Sequence, residues 1–131
     1  MKVFVNGCFD ILHRGHLEML KFAKEAGGFL VVALDSDDKV VKDKGLSRPV
    51  NCQEDRKFML ESLRWVDEVR VFDTREELSG LVKQISPDLM IVGSDWRGKH
   101  IVGGEFAKEI RYFDRVGTYS TSNIIESFAH R

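Results

Sequence analysis

Residues 29–34 form a run of six consecutive apolar residues, Phe-Leu-Val-Val-Ala-Leu, and Asp35 follows it. A strand that is apolar at every position is typical of a parallel sheet with both faces covered. Neighbouring parallel strands need a long crossover connection, which is usually a helix. This segment therefore restricts the chain to α/β architectures in which helices lie on both faces of a sheet.

The other periodicities predict the same alternation along the whole chain. They predict strands at residues 2–6, 29–34, 68–72, 88–92 and 110–113, and helices at 15–26, within 35–44, at 53–65, at 76–85 and from about Ser120. This order predicts a Rossmann-like, doubly wound parallel sheet in a single domain spanning residues 1–131. Ligands of such sheets bind beyond the carboxyl ends of the strands, so the loops after Asn6, Leu34 and Val92 are expected to hold the site.

Charge and hydropathy exclude several classes of partner. The formal net charge of -1 argues against a general nucleic-acid binder. The apolar runs fall far short of the roughly 20 residues that span a bilayer, and no cleavable signal opens the chain. We expect a cytoplasmic protein with neither a nucleic-acid nor a membrane partner.

The two cysteines, Cys8 and Cys52, lack the C-x-x-C spacing of metal and redox sites. We interpret both as thiols. A nucleophilic Cys8 would need a partnering base. A redox or metal protein built on these cysteines and the histidines is not supported by their spacing.

The loop after the first strand contains two histidines three residues apart. Gly7 permits a tight turn, and the start of the following helix offers unpaired N–H groups to phosphate. Gly15 separates His13 from His16, so both imidazoles can face one polyphosphate and donate hydrogen bonds as negative charge builds there. No Walker A lysine motif is present, which excludes a P-loop.

Residues 6–16 resemble the signature of the cytidylyltransferase-like nucleotidyltransferase superfamily, whose H-x-G-H motif matches His13 and His16. The resemblance extends from Val3 to about Glu126. It implies direct in-line attack by a substrate phosphate on the α-phosphate of an NTP, with Mg²⁺ as cofactor, departure of pyrophosphate and no covalent enzyme intermediate. Both histidines would stabilise the transition state.

The resemblance also implies a set of nucleotide contacts. Gly93, at a strand end, lets a base approach the backbone, and Trp96 offers a stacking face. Hydroxyls and amides at the start of the last helix can cap it or bind phosphate, although Thr118 and Ser122 depart from the family pattern there. The predicted nucleotide-binding residues are Gly7, Cys8, Phe9, Gly15, Gly93, Asp95, Trp96, Arg115, Ser120 and Thr121.

Two aspartates resemble acidic positions of the family. Asp10 is predicted to hold Mg²⁺ through water, and the alternative is a turn aspartate that accepts from backbone N–H groups. Asp37 is predicted to contact the acceptor, and the alternative is a helix N-terminal charge.

A basic segment follows the second strand. Lysines beside glycine suit a loop that closes over phosphates, and an arginine offers a planar fork to an anion. A charge run is usually a solvated face. Here the resemblance favours Lys44 and Arg56 as catalytic residues, and Lys42 and Arg48 as acceptor-binding residues.

The motifs point to two specificities. Residues 6–10, Asn-Gly-Cys-Phe-Asp, and 48–51, Arg-Pro-Val-Asn, resemble the ATP-dependent adenylyltransferase domain of heptose 1-phosphate activating enzymes, which serve lipopolysaccharide precursor synthesis. Residues 95–99, Asp-Trp-Arg-Gly-Lys, resemble glycerol-3-phosphate cytidylyltransferases, which use CTP.

The leading hypothesis is a nucleotidyltransferase that moves CMP or AMP onto a phosphorylated polyol or sugar such as glycerol 3-phosphate. The first alternative is the adenylyltransferase that acts on a heptose 1-phosphate. The second and weaker alternative is a nucleotide-binding module without catalysis. The family also implies a homodimer, for which Phe58 and Trp65 on one helix are candidate interface residues.

Overall fold

Five parallel strands form one sheet at the centre of the computed structural model. The strands are β1 (Lys2–Gly7), β2 (Phe29–Asp35), β3 (Glu68–Phe72), β4 (Leu89–Gly93) and β5 (Glu109–Phe113). The helices are α1 (Arg14–Gly27), α2 (Asp37–Lys44), α3 (Gln53–Glu61), α4 (Arg75–Ile85) and α5 (Thr121–Ala129). The structure describes residues 1–115, 117 and 120–129, and for residues 121, 123 and 129 the backbone alone. In this part of the chain no helix is long and apolar enough to cross a membrane.

The strand order is β3-β2-β1-β4-β5. The chain builds outward from β1 to β3 and then returns to place β4 on the other side of β1. The order reverses between β1 and β4, which makes their carboxyl ends the switch point at which a ligand is expected to bind. The predicted doubly wound architecture is confirmed, and Asn6, Leu34 and Val92 all lie at or next to this edge.

Successive side chains of the strands enter separate cores on the two faces of the sheet. Val3 and Val5 belong to one core and Phe4 to the other, as the two-residue period of a strand requires. The first core is filled by Leu20 and Ala23 of α1, and the second includes residues of α4. This double coverage explains why residues 30–34 are buried without alternation.

The carboxyl end of α1 packs closely against β1, and this packing positions the amino end of the helix. A Cβ atom at Gly27 would lie 2.3 Å from Cγ2 of Val3, so only glycine fits there. Gly28 then ends the helix in the left-handed region at φ 90°, and its N–H donates to the carbonyl of Lys24. These contacts hold α1 against β1 and so position the turn that carries the two histidines.

One helix is shorter than predicted. α3 ends at Glu61, four residues before the predicted end at Trp65. Ser62 Oγ donates to the carbonyl of Phe58, and the backbone continues in tighter three-residue turns at Leu63 and Val66. The predicted bounds of the strands and of α1 and α4 agree with the structure to within one residue.

Candidate active site

The turn between β1 and α1 is held by a reciprocal hydrogen bond between its two histidines. The N–H of His16 donates to Nδ1 of His13 at 3.4 Å, and the N–H of His13 donates to Nδ1 of His16 at 3.3 Å. The two rings stack with centroids 3.7 Å apart. This is the geometry of a capping box, in which imidazoles replace the usual hydroxyl and carboxylate. The H-x-G-H motif therefore caps the helix on which it lies.

This cap determines which nitrogen of each ring carries the proton. A neutral imidazole that accepts at Nδ1 is protonated at Nε2, so each ring is an Nε2–H donor. Burial, with help from His13 and Lys44, lowers the pKa of His16 to about 4. Burial and the charge of Arg115 also lower the pKa of His13. Both rings are neutral at pH 7 and can donate to an anion.

A cavity of about 290 Å³ lies against this turn. It brings together the loops after β1, β4 and β5 and the last residue of α2. Its lining residues are His13, Gly15, His16, Met19, Lys44, Gly93, Phe113, Arg115, Ser120 and Ser122. Two cationic side chains, two imidazole donors and the N-terminus of α5 converge on one space, an arrangement that suits a polyphosphate.

A second and larger cavity of about 680 Å³ adjoins the first, since Met19, Lys44 and Gly93 line both. Several of its walls are apolar, including Phe72 and Trp96. Its polar lining residues are Asn6, Asp35, Lys39, Asp43, Lys44, Arg75, Lys99 and His100. We call the two spaces the phosphate cavity and the acceptor cavity, after the groups proposed for them below, and Lys44 lies where they meet.

Most predicted site residues line one of these cavities. The phosphate cavity contains His13, His16, Lys44, Gly15, Gly93, Arg115 and Ser120. Gly7, Cys8 and Trp96, which were predicted to bind the nucleotide, line the acceptor cavity instead. Asp95 lies beside the phosphate cavity, where its carboxylate pairs with Arg115 at 2.8 Å. The side chain of Thr121 lies outside the described part of the structure, although its backbone begins α5.

The Asp10 carboxylate has partners other than the predicted metal ion. Its oxygens accept from the N–H groups of Val50 and Asn51 and from Nε of Arg48, and its side chain is fully buried. Burial raises the pKa of Asp10, but these donors outweigh it and hold the pKa below its usual range. Asp10 is the turn aspartate of the alternative interpretation. Arg48 binds it through Nε, and Arg48 lines neither cavity.

Arg56 is also buried away from both cavities, with a side-chain exposure of 0%. Its guanidinium donates to the carbonyls of Cys8, Asp35 and Asn51 and to the carboxylate of Asp37. It joins the ends of β1 and β2 to the loop before α3. The prediction that Arg56 contacts the substrate is corrected, because its donors are used within the protein.

Three other predicted residues lie outside the cavities. Phe9 is buried with φ at 49°, and the centroids of its ring and the His16 ring lie 5.1 Å apart, so Phe9 packs against the histidine and does not line either space. Asp37 binds Arg56, and Lys42 is exposed on α2. Neither Asp37 nor Lys42 lines the acceptor cavity.

Cys8 and Cys52 are both free thiols, as predicted. Burial raises the pKa of the Cys8 thiol, which keeps it protonated and disfavours a nucleophilic role.

The sequence interpretation missed several polar residues of the acceptor cavity. Asp35, Lys39 and Asp43 line it from the end of β2 and from α2. The spacing of four residues between Lys39 and Asp43, which places both side chains on one face of α2, is a signal that could have identified these two. Arg75 and His100 had no local signal, since only the folded sheet brings them to this edge.

Among the described residues, no group of three or more histidine, cysteine, aspartate or glutamate side chains is arranged to hold a metal ion. The carboxylate of Asp10 already accepts hydrogen bonds from the protein, so these residues do not fit a metal site made by the protein alone.

The sequence pattern of the cytidylyltransferase-like family matches residues 4–127. The chain is 50% identical over 123 residues to the bifunctional protein HldE of Campylobacter fetus subsp. fetus, covering 94% of this chain and 27% of that protein. It is 48% identical over 126 residues to HldE of a Nitratiruptor species, covering 95% and 27% respectively. The chain thus spans about a quarter of the length of these curated relatives.

Two solved structures share the fold. A lipopolysaccharide core biosynthesis protein from Thermoplasma volcanium GSS1 superposes with a TM-score of 0.68 at 25% identity, covering 92% of this chain and 98% of the other. A protein of unknown function from Archaeoglobus fulgidus gives a TM-score of 0.63 at 16% identity, covering 92% and 94%, and supports the fold alone. With the histidine pair, the phosphate cavity and the match over nearly its whole length, this chain belongs to the cytidylyltransferase-like family and is a nucleotidyltransferase.

Proposed function

We propose that this nucleotidyltransferase moves AMP from ATP onto a heptose 1-phosphate, giving an ADP-heptose and pyrophosphate. The observation that carries the proposal is the pair of Nε2–H imidazole donors in a cationic cavity that adjoins a larger cavity with both polar and apolar walls. Residues 6–10 and 48–51 resemble the heptose enzymes, and the HldE relatives are about 50% identical. The structural neighbour from Thermoplasma volcanium is described as a lipopolysaccharide core biosynthesis protein, which agrees with an ADP-heptose product.

The size of the acceptor cavity favours a sugar over a three-carbon polyol. A space of about 680 Å³ with eight polar lining residues offers more room and more hydrogen-bonding groups than glycerol 3-phosphate uses. The motif at residues 95–99 still favours the glycerol enzyme. CTP with glycerol 3-phosphate is therefore the second candidate function.

In the proposed reaction an oxygen of the acceptor phosphate attacks the α-phosphorus of ATP. A bond forms between them while the bond from the α-phosphorus to the bridging oxygen breaks, and pyrophosphate leaves on the opposite side. The attacking oxygen is already an anion, so no general base is required. His13 and His16 donate from Nε2 to the α-phosphate oxygens as charge builds on them.

The positive groups divide between the two reactants. Lys44 lines both cavities, so its ammonium can neutralise the acceptor phosphate and the α-phosphate together. Arg115 and the N-terminus of α5, with Ser120 and Thr121, would hold the β- and γ-phosphates of the leaving group. These contacts reduce the repulsion between two anions that must approach each other.

Mg²⁺ is proposed as part of the nucleotide substrate. The described residues offer no protein-only site, so the ion would be held chiefly by phosphate oxygens of the triphosphate. The homodimer implied by the family also stays a prediction, which light scattering at working concentration tests.

The test is pyrophosphate release in the presence of Mg²⁺, with ATP and CTP each paired with a heptose 1-phosphate and with glycerol 3-phosphate. We expect release from ATP with the heptose 1-phosphate and slower or no release from the other pairs. Preferred release from CTP with glycerol 3-phosphate would transfer the assignment to the second candidate. Tight nucleotide binding without release from any pair would favour a non-catalytic module.

A further inference from the structure

An ion-pair cluster on the wall of the acceptor cavity has no role in the reaction described above. Nζ of Lys39 lies 2.6 Å from Oδ2 of Asp43 and 3.6 Å from Oδ2 of Asp35. Asp35 ends β2, and the other two residues lie on α2. All three side chains line the acceptor cavity. We call them the α2 triad.

Helix stability does not explain the position of the α2 triad. A pair of opposite charges four residues apart stabilises a helix only weakly, on a face that water covers. Here the side chains of Lys39 and Asp35 are only 17% and 14% exposed, so charge has been removed from water. Burial raises the pKa of Asp35, as expected for a carboxylate moved to a less solvated place. Such desolvation is unfavourable unless other contacts offset it.

Phosphate binding does not explain the α2 triad either. Two carboxylates and one ammonium leave it with a negative charge, which repels phosphate. The cationic lining residues of the same cavity, Lys44, Arg75 and Lys99, are the groups suited to phosphate. A neutral ligand group that both donates and accepts hydrogen bonds fits the triad better.

Hydroxyl groups have this property. A hydroxyl can donate to a carboxylate oxygen of Asp43 or Asp35 and accept from the ammonium of Lys39. Two neighbouring hydroxyls of a sugar or polyol can therefore bridge the carboxylate and the ammonium. The exposed ring of Trp96, at 53% exposure, lines the same cavity and offers an apolar face to the carbon skeleton.

We propose that the α2 triad recognises the hydroxyl groups of the phosphorylated acceptor and thereby determines which sugar or polyol phosphate the enzyme uses. This inference rests on the proposed function only in requiring a phosphorylated acceptor with several hydroxyls. The identity of the nucleotide does not enter it. The triad contacts the substrate's non-reacting end, so its loss should act on acceptor binding and discrimination.

The test compares Asp43→Ala with Asp38→Ala. Both substitutions remove an exposed carboxylate from α2, but Asp43 lines the acceptor cavity and Asp38 lines neither cavity. Loss of hydrogen bonds to a charged group is expected to raise KM for the heptose 1-phosphate by about tenfold or more, with KM for ATP within about twofold of wild type. Asp43→Ala should also lower the preference for heptose 1-phosphate over glycerol 3-phosphate, while Asp38→Ala leaves both values unchanged. Equal acceptor KM values in the two variants would overturn the proposal.

Calorimetric titration of the sugar phosphate into each protein separates this inference from the proposed function. If wild type binds heptose 1-phosphate at least about tenfold more tightly than Asp43→Ala but releases no pyrophosphate, the triad inference holds and the proposed reaction fails. If wild type turns over heptose 1-phosphate and Asp43→Ala binds it equally well, the reaction holds and the triad inference fails. Failure of wild type to bind any polyhydroxylated phosphate would overturn both.

Discussion

The histidine turn and the cluster around Arg56 flank the same edge of the sheet, yet they use polar side chains in opposite ways. His13 and His16 satisfy each other's backbone through Nδ1 and leave Nε2–H as the donor of each ring on the phosphate cavity. Arg56 and Asp10 use their hydrogen bonds on backbone carbonyls and amides inside the protein. The first region presents donors to a ligand, and the second fixes the loops that surround it. A charged residue in a motif therefore acts on substrate only if the fold lets its polar atoms reach the cavity.

The largest effect is expected from Arg56→Met. The substitution leaves the carbonyls of Cys8, Asp35 and Asn51 without their donor in a buried place, and breaking such a network costs about 3–5 kcal/mol. Urea denaturation measures the loss in free energy of unfolding. Arg64→Met, at an exposed arginine, should change it by less than about 1 kcal/mol. An Arg56→Met variant as stable as wild type but inactive would instead make Arg56 a substrate contact.

The next effect is expected from His13→Asn, which separates the two roles of the histidine turn. Asparagine is a preferred N-cap residue, so its side-chain oxygen should keep the bond from the N–H of His16 and hold stability within about 1 kcal/mol. The Nε2–H donor is lost, and kcat should fall by about 10²–10³-fold. Thermal unfolding and pyrophosphate release measure the two quantities. Unchanged kcat would assign His13 to capping alone.

The third prediction concerns pH. The pKa of His16 is about 4 in the folded protein and near 6.5 in the unfolded chain. The unfolded chain therefore binds a proton more readily between these values, and the free energy of unfolding falls as pH decreases from about 6.5 to about 4, by on the order of 3 kcal/mol from this group. Urea denaturation at a series of pH values tests it. His16→Asn, which lacks the imidazole, should lose less stability over that range, and parallel curves for the two proteins would contradict the burial of a neutral His16.

The smallest effect on stability is expected from Arg115→Ala. The ion pair with Asp95 is exposed on both sides, at 56% and 64%, and pairs of this kind contribute about 0–1 kcal/mol. The same substitution removes a cation from the phosphate cavity, so KM for the nucleotide should rise by about tenfold. Thermal unfolding and steady-state kinetics measure the two effects. A large loss of stability would instead make Arg115 a residue that holds loops in place, as Arg56 does.

The parts of this molecule that local sequence determines were predicted well. The apolar run at residues 29–34 and the alternating periodicities predicted the parallel sheet, and the switch point followed from that order. The spacing of His13 and His16 predicted that both would face one site, because a helix start and three residues of separation determine their relative position.

The roles of Asp10, Arg48 and Arg56 were not predictable in this way. The partners of Asp10 include backbone atoms about forty residues away, at Val50 and Asn51. The carbonyl partners of Arg56 lie just after β1, at the end of β2 and in the loop before α3. Only the folded chain shows that these side chains are buried and hydrogen-bonded within the protein. The same holds for Arg75 and His100, which reach the acceptor cavity from separate parts of the chain.

The most direct test of the account is pyrophosphate release by His16→Ala, measured beside wild type at saturating concentrations of the substrate pair that gives turnover. Circular dichroism and thermal unfolding first establish that the variant is folded. We predict a rate at least about 10²-fold below wild type, because the variant lacks one of the two Nε2–H donors on the phosphate cavity. A folded His16→Ala protein with a rate near that of wild type would contradict the assignment of catalysis to this histidine pair.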